Sequence, residues 1–190
     1  MLKLFKILVI ILALGLLVPA RGVIPVQNAS HKDWNANSFW HSPWGKSGVH
    51  KGIDIFAAKG SRVISSVGGF VIYAGDIDIG GKVVAILGPK WRIHYYAHLN
   101  STNVQALDYA GRGDIIGAVG DSGNAKGKSP HLHYSVISLI PYPRRMTTDQ
   151  QGWKRQFYMN PAQGFEWMVH ALAVAKTRLQ RYTRQQTTAK

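Results

Sequence analysis

The stretch PHLHYSV, residues 130–136, places two histidines one residue apart within an apolar run. Side chains two positions apart on an extended strand project from the same face of a sheet. We therefore expect His131 and His133 to lie together on one face, while Leu132 and Tyr134 pack on the other. Two neighbouring imidazoles indicate a metal site, a proton-transfer site or a half-exposed strand without a function.

Short apolar segments surround this stretch and predict a β domain over residues 39–145. They are rich in Val, Ile and Tyr, and Gly, Asp, Asn and Pro separate them, as in GIDIFAA, KVVAILG and DIIGAVG. We find no helical period between residues 45 and 140. This pattern is typical of a mainly β fold, a compact antiparallel sheet or sandwich, and not of βαβ units.

The composition narrows the possible chemistry. The 190 residues include 23 Lys and Arg against 9 Asp and Glu, a formal net charge of +14. Such a surface attracts anionic polymers, whether nucleic acid, acidic membranes or cell-wall material, and the charge does not choose among them. The chain has no cysteine, which excludes disulfides, thiol nucleophiles and cysteine zinc clusters. Any metal must therefore be bound by His, Asp or Glu.

The first 20 residues predict export. Lys3 and Lys6 precede an apolar run over residues 7–18, and the segment VPA supplies small residues at a cleavage site. This arrangement is typical of a secretory signal peptide, and an uncleaved membrane anchor is the alternative. Both place the rest of the chain in the periplasm or cell envelope. We expect residues 21–38 to form a linker.

Residues 146–190 form a basic C-terminal extension. Apolar residues recur there at three- and four-residue spacing and predict an amphipathic helix over about 163–183, with Pro161 just before it. The helix either packs on the β domain or binds an anionic envelope or membrane surface through its Lys and Arg residues.

A second pair of possible metal ligands lies in HKGID. His50 and Asp54 are four residues apart, so on a strand they face the same side, and Gly52 between them has no side chain. Together with His131 and His133 they suit zinc, which accepts imidazole and carboxylate donors. A catalytic zinc typically has three protein ligands and one water. Four candidates are one too many, which suggests that one of them carries out chemistry.

The base that handles the proton of such a water is most simply a histidine. Glu166 is the only glutamate and lies in EWMVH, which is not the HExxH motif of other zinc peptidases. His98, in RIHYYAHLN, is a further candidate near the end of a predicted strand. On a regular strand it would share a face with His94 and Tyr96.

Three segments carry a resemblance to a known family. HKGIDIFAAKGSRV, HYYAHL and VGDSGNAKGKSPHLHYSV occur in this order and are similar to the LytM/lysostaphin-type zinc metallopeptidases. The resemblance covers residues 39–142. It implies an open groove over a central antiparallel sheet, and an enzyme that cleaves peptide bonds in the stems or cross-bridges of bacterial peptidoglycan.

The resemblance also implies individual roles. His50, Asp54 and His133 would be the zinc ligands, and His98 and His131 the catalytic histidines that activate water and stabilise the oxyanion. Relatives that have lost catalysis act as activators of cell-wall amidases and usually lack one or more of these residues. All five are present here, which favours an active enzyme, and the activator is the alternative. The predicted export argues against a nucleic-acid partner, and we expect a monomer.

Other features have less specific explanations. GDSG at 120–123 resembles the nucleophile segment of trypsin-like serine proteases, but Ser122 lies only 24 positions after His98, and HxxxD and HLH would stay unexplained. We interpret it as a loop rich in turn residues. Three aromatic residues of the extension are expected to cover the sheet edge or to line the groove: Trp153, Phe157 and Tyr158. The remaining histidines are expected to be structural, rim or solvated residues: His31, His41, His94 and His170.

Overall fold

The structure is a computed structural model and describes residues 2–166 and Gln180. Within this part the chain forms one antiparallel sheet of nine strands, which confirms the predicted mainly β fold. The strands are β1 Ile53–Phe56, β2 Arg62–Ile64, β3 Gly69–Ile77, β4 Gly81–Gly88, β5 Arg92–Thr102, β6 Tyr109–Ala110, β7 Ile115–Val119, β8 His131–Ser138 and β9 Tyr158–Met159.

The strands are arranged around β8 and β5. Their order along the sheet is β1-β8-β5-β4-β3-β6, while β7 pairs with β5 and β2, and β9 extends the edge beside β8. Because β8 has neighbours on both sides, its register fixes which residues of β1 and β5 lie next to one another.

The two faces of β8 differ as the alternation predicts. Ile53, Tyr134 and Tyr96 lie opposite one another on three adjacent strands, and each is at most 1% exposed. This row belongs to the hydrophobic core, where Leu132 is also fully buried. Residues one position along each strand, His133 among them, therefore project from the opposite face.

Segments on both sides of the predicted domain contribute to the same core. Val26 forms a bridge to Val63 of β2, and Trp34 forms one to Ile55 of β1, although both lie in the segment that we expected to be a linker. Phe165, on the C-terminal side, stacks on Tyr134 with ring centroids 5.9 Å apart. The bounds 39–145 stay a prediction, and the core itself draws on residues from both flanks.

α-Helical structure lies near the two ends of the described chain. Helix α1, Leu2–Leu17, has 16 residues, and Trp91 Nε1 donates a hydrogen bond to its Leu12 carbonyl at 2.9 Å. No helix among the described residues combines the length and apolarity needed to span a membrane. Residues 161–166 are helical. Apart from Gln180, the rest of the predicted 163–183 helix lies outside the described residues.

His94 on β5 is buried in the core face. It is 5% exposed, and its Nδ1 lies 2.6 Å from the Tyr134 hydroxyl. Burial, and to a smaller extent the charge of Arg92, lower its pKa to about 4. His94 is therefore neutral in the folded protein at pH values where an unfolded chain already binds the proton.

This difference makes stability depend on pH. The folded pKa lies below the unfolded value, so the contribution of His94 is fully present above about pH 6.5 and declines as the pH falls toward 4. We expect wild type to lose on the order of 3 kcal/mol more stability than His94→Asn between pH 7 and 4, measured by urea unfolding. Parallel pH profiles of the two proteins would contradict this assignment.

Candidate metal centre

Three donor groups converge on the open face of the sheet. Asp54 lies on β1 directly opposite His133 on β8, and His50 lies in the loop just before β1. His133 Nδ1 is 2.8 Å from Asp54 Oδ1, and His50 Nε2 is 3.1 Å from each of these atoms. All three ligand atoms lie within 4.8 Å of one another. This spacing is that of a group of ligands around a single cation.

The position of His50 depends on loop contacts and not on a strand. We expected His50 and Asp54 on one strand, but β1 begins at Ile53. The backbone N–H of His50 donates to the His41 carbonyl at 2.9 Å, and the ring Nδ1 lies 2.9 Å from the Ser38 carbonyl. A carbonyl only accepts, so Nδ1 carries the proton and Nε2 presents its lone pair to the cluster.

The donor set fits a divalent cation. His133 Nε2 is 3.0 Å from the Ser135 hydroxyl, which can accept its proton and leave Nδ1 as a second lone pair. Burial raises the pKa of Asp54, but the hydrogen bonds that protonated His133 and His50 rings would donate outweigh it and bring the pKa well below its usual range. Burial lowers the pKa of His133, which favours its neutral ring. A cation can take the place of these protons, so that the carboxylate and two imidazole lone pairs face it together, as in a zinc site.

Gly52 lets the loop before β1 approach β8 closely. A Cβ at this position would overlap the Tyr134 carbonyl oxygen and come within 3.0 Å of His133 Nε2. The absence of a side chain, noted from the sequence, therefore matters for the contact between the loop and β8.

Two further histidines stand beside the cluster. The rings of His98 and His131 are 5.0 Å apart, and His131 Nε2 is 3.9 Å from Asp54 Oδ2. Each ring contacts a backbone carbonyl through Nδ1: His98 that of Ser122 at 2.9 Å, and His131 that of Ser129 at 2.8 Å. Both Nε2 atoms are thus available as proton acceptors. Burial, followed by the charge of His133, lowers the pKa of His98 to about 4, so its ring is neutral at pH 7.

A bulge brings His98 to this face. We expected His98 to share a face with His94 and Tyr96, and this is wrong, because both of those residues lie on the core face. The register between β4 and β5 shifts just before Leu99, and His98 adopts a left-handed φ of 63°. Its backbone N–H donates to the Gly80 carbonyl at 2.8 Å. A β-bulge of this kind re-aims a side chain, here toward the metal cluster.

The GDSG segment supports His98 instead of supplying a nucleophile. The Ser122 hydroxyl donates to the Leu99 carbonyl at 2.8 Å and accepts from the Lys82 N–H at 2.9 Å. Its carbonyl is the partner of His98. The sequence predicted the turn but not this supporting role of Ser122. The nearby glycines at 120 and 123 are only a weak indication of it.

The five residues line one groove of about 660 Å³. Large side chains form much of its wall: Trp44, Ile77, Ile79, Tyr95, Ile137 and Tyr158. Trp44, which sequence reasoning also missed, stacks on His50 with ring centroids 4.0 Å apart. Lys51 lines the groove too; its partial burial, and then the charge of Lys154, lower its pKa.

The other aromatic and histidine residues have mixed positions. Tyr158 both pairs with the β8 edge and lines the groove, while Trp153 is 60% exposed. His41 lines a smaller cavity of about 270 Å³ beside Asp54. His31 is exposed. His170 lies outside the described residues.

A comparison with sequence families identifies the family of this chain. The sequence model of peptidase family M23 matches residues 48–143, just over half of the chain. The chain belongs to peptidase family M23.

Two relatives match part of this chain. An L-Ala–D-Glu endopeptidase of Bacillus subtilis (strain 168) is 33% identical over 143 residues, 66% of this chain and 42% of that protein. The murein hydrolase activator NlpD of Escherichia coli (strain K12) is 31% identical over 90 residues, 47% of this chain and 23% of that protein. The chain thus matches less than half the length of each.

The fold is also similar to that of a solved structure. The crystal structure of a zinc-containing peptidase from Vibrio cholerae superposes with a TM-score of 0.52 and 26% sequence identity. The match covers 62% of this M23 chain and 36% of the Vibrio chain.

We expect Gly52→Ala to disturb the cluster of this M23 protein. Its Cβ would press on β8 and separate His50 from His133, so stability should fall by about 1–3 kcal/mol and zinc affinity should fall with it. Gly164→Ala is the matched control, since no atom lies within 4 Å of its added Cβ. Thermal unfolding and zinc titration measure both effects, and equal behaviour of the two variants would contradict the close approach.

Proposed function

We propose that this M23 protein is an exported zinc metalloendopeptidase that hydrolyses peptide bonds of bacterial peptidoglycan. The observation that carries the proposal is the convergence of three metal donors beside two imidazoles with available Nε2 atoms, all in one groove. The endopeptidase activity of the Bacillus relative supports the same class of substrate. The apolar, basic start of the chain supports export.

His50, Asp54 and His133 are the proposed ligands. They provide two imidazole nitrogens and one carboxylate, the number and kind of protein donors found in catalytic zinc sites. Bound zinc would supply a Lewis acid that polarises a carbonyl and makes hydroxide available near neutral pH.

His131 and His98 are the proposed proton carriers. His131 Nε2 lies 3.9 Å from Asp54 Oδ2 and would take the proton of the attacking water. That carboxylate would stabilise the resulting imidazolium, which would then donate the proton to the leaving amine. The neutral His98 ring faces His131 and His133, and its Nε2 would orient the water by accepting a hydrogen bond from it. Once protonated, His98 would donate to the developing oxyanion.

Incubation of the full-length chain with purified sacculi tests this proposal. We expect release of peptide-cleaved fragments, identified by mass spectrometry, when zinc is present. A chelator should stop the release, and added zinc should restore it. If folded protein that holds zinc released no fragments, the proposed peptidase activity would be wrong. Folded protein that neither binds zinc nor releases fragments would instead favour an activator of amidases; the named Escherichia relative is a murein hydrolase activator.

Single substitutions separate the ligands from the proton carriers. His50→Ala and Asp54→Ala should lose zinc and activity together, because each removes one of three donors. His131→Ala should keep most of the zinc and lose about 10²- to 10⁴-fold in turnover. Zinc per chain and the rate of fragment release measure the two effects. Turnover at the wild-type rate in His131→Ala would show that another group is the base.

A further inference from the structure

The groove lining carries a positive charge at Lys51 that the metal cluster does not use. Lys51 follows the proposed ligand His50 directly and lines the groove. Its Nζ donates to the Ser47 carbonyl at 3.0 Å, a neutral partner. Among residues 2–166, Lys51 forms no ion pair with a carboxylate, although it is only half-exposed.

The chain after β8 adds to this charge. Residues 139–157 contain four Lys or Arg residues and one acidic residue, Asp149, which pairs with Arg155 at 3.6 Å. Gln151 Nε2 donates to the same Ser47 carbonyl as Lys51, at 2.9 Å, and so attaches this segment beside the groove. Lys154 lies close enough for its charge to act on Lys51, and it too forms no ion pair in the described chain.

The groove wall offers little internal counter-charge to Lys51. Asp54 is the one carboxylate among the described lining residues, and it is engaged by His50 and His133. The Lys51 ammonium group in this partly buried groove attracts an anion, and the interaction strengthens as water is displaced.

We propose that Lys51, which lines the groove directly after His50, binds a carboxylate of the substrate, so that the preferred substrate is a peptide with a free carboxylate near the scissile bond. This inference rests on the proposed peptidase function. It favours acidic stem peptides over neutral glycine bridges as the target. A side-chain carboxylate within the peptide and a C-terminal carboxylate offer the same chemistry, and an experiment can distinguish them.

Cleavage of matched synthetic peptides by the full-length zinc protein tests the inference. One peptide carries an internal D-Glu beside the scissile bond and an amidated C-terminus, the second carries D-Gln there and a free C-terminus, and the third carries D-Gln and an amidated C-terminus. We expect at least one acidic peptide to be cleaved with a kcat/KM about tenfold or more above that of the neutral peptide, mainly through a lower KM. The peptide that shows this gain identifies the source of the carboxylate.

Substitutions then assign the preference to Lys51. Lys51→Met should reduce kcat/KM about tenfold more for the preferred acidic peptide than for the neutral peptide, while Lys51→Arg should retain most of the preference. Lys126→Met removes an equal charge from an exposed residue outside the groove lining and should change neither rate. Zinc per chain is measured for every variant and should stay at the wild-type value.

The outcomes separate the two proposals. If wild type cleaves none of the peptides and none of the bonds in sacculi, the peptidase function fails and the inference fails with it. If wild type cleaves the acidic and neutral peptides equally well, or Lys51→Met keeps the preference at full zinc content, the peptidase stands and the carboxylate site is wrong.

Discussion

The arrangement of the site depends on the register of β8 between β1 and β5. This register sets Asp54, His133 and Ala97 opposite one another on adjacent strands. Directly opposite residues of antiparallel strands have Cα atoms only about 4.5–5.5 Å apart, close enough for two side chains to share a cation. A slip of one residue would turn His133 into the core and Tyr134 into the groove. The buried row of Ile53, Tyr134 and Tyr96 therefore fixes the polar row beside it.

The parts of the site that follow strand alternation could be predicted from the sequence. The pattern HLHYS places His131 and His133 on one face, and the structure places them so. Two other positions could not be derived by this rule. His50 is placed by loop hydrogen bonds, and His98 by a bulge with a left-handed φ. A bulge inserts one residue and reverses the alternation after it, which a periodic reading of one strand does not reveal.

The contribution of the flanking segments to the core could not be predicted from the sequence, for a different reason. Residues 21–38 have no apolar period, yet Val26 and Trp34 are almost fully buried. A segment with two anchoring side chains needs no repeat, because each one fills a separate place on the sheet. Their partners, Val63 and Ile55, are distant in sequence, so only the tertiary fold identifies the contacts. Composition and periodicity alone therefore describe such a segment as a linker.

The four imidazoles of the site share a feature that links the fold to the chemistry. Each has its outer ring nitrogen beside a serine oxygen: a backbone carbonyl for His50, His98 and His131, and the Ser135 hydroxyl for His133. A carbonyl cannot donate, so three of the four tautomers are fixed with the proton on the outer nitrogen. The inner nitrogens are then lone pairs directed at the groove.

The fixed tautomers place lone pairs opposite a charged carboxylate. Lone pairs and an ionised Asp54 face one another without protons between them, which is unfavourable until a cation or a proton arrives. The backbone carbonyls that hold the tautomers belong to loops and turns, and the hydrophobic row of the sheet holds the strands between them. The sheet therefore supplies the stability, and the serine oxygens direct the lone pairs of the neutral histidine rings toward the groove, where they can bind a cation or accept a proton.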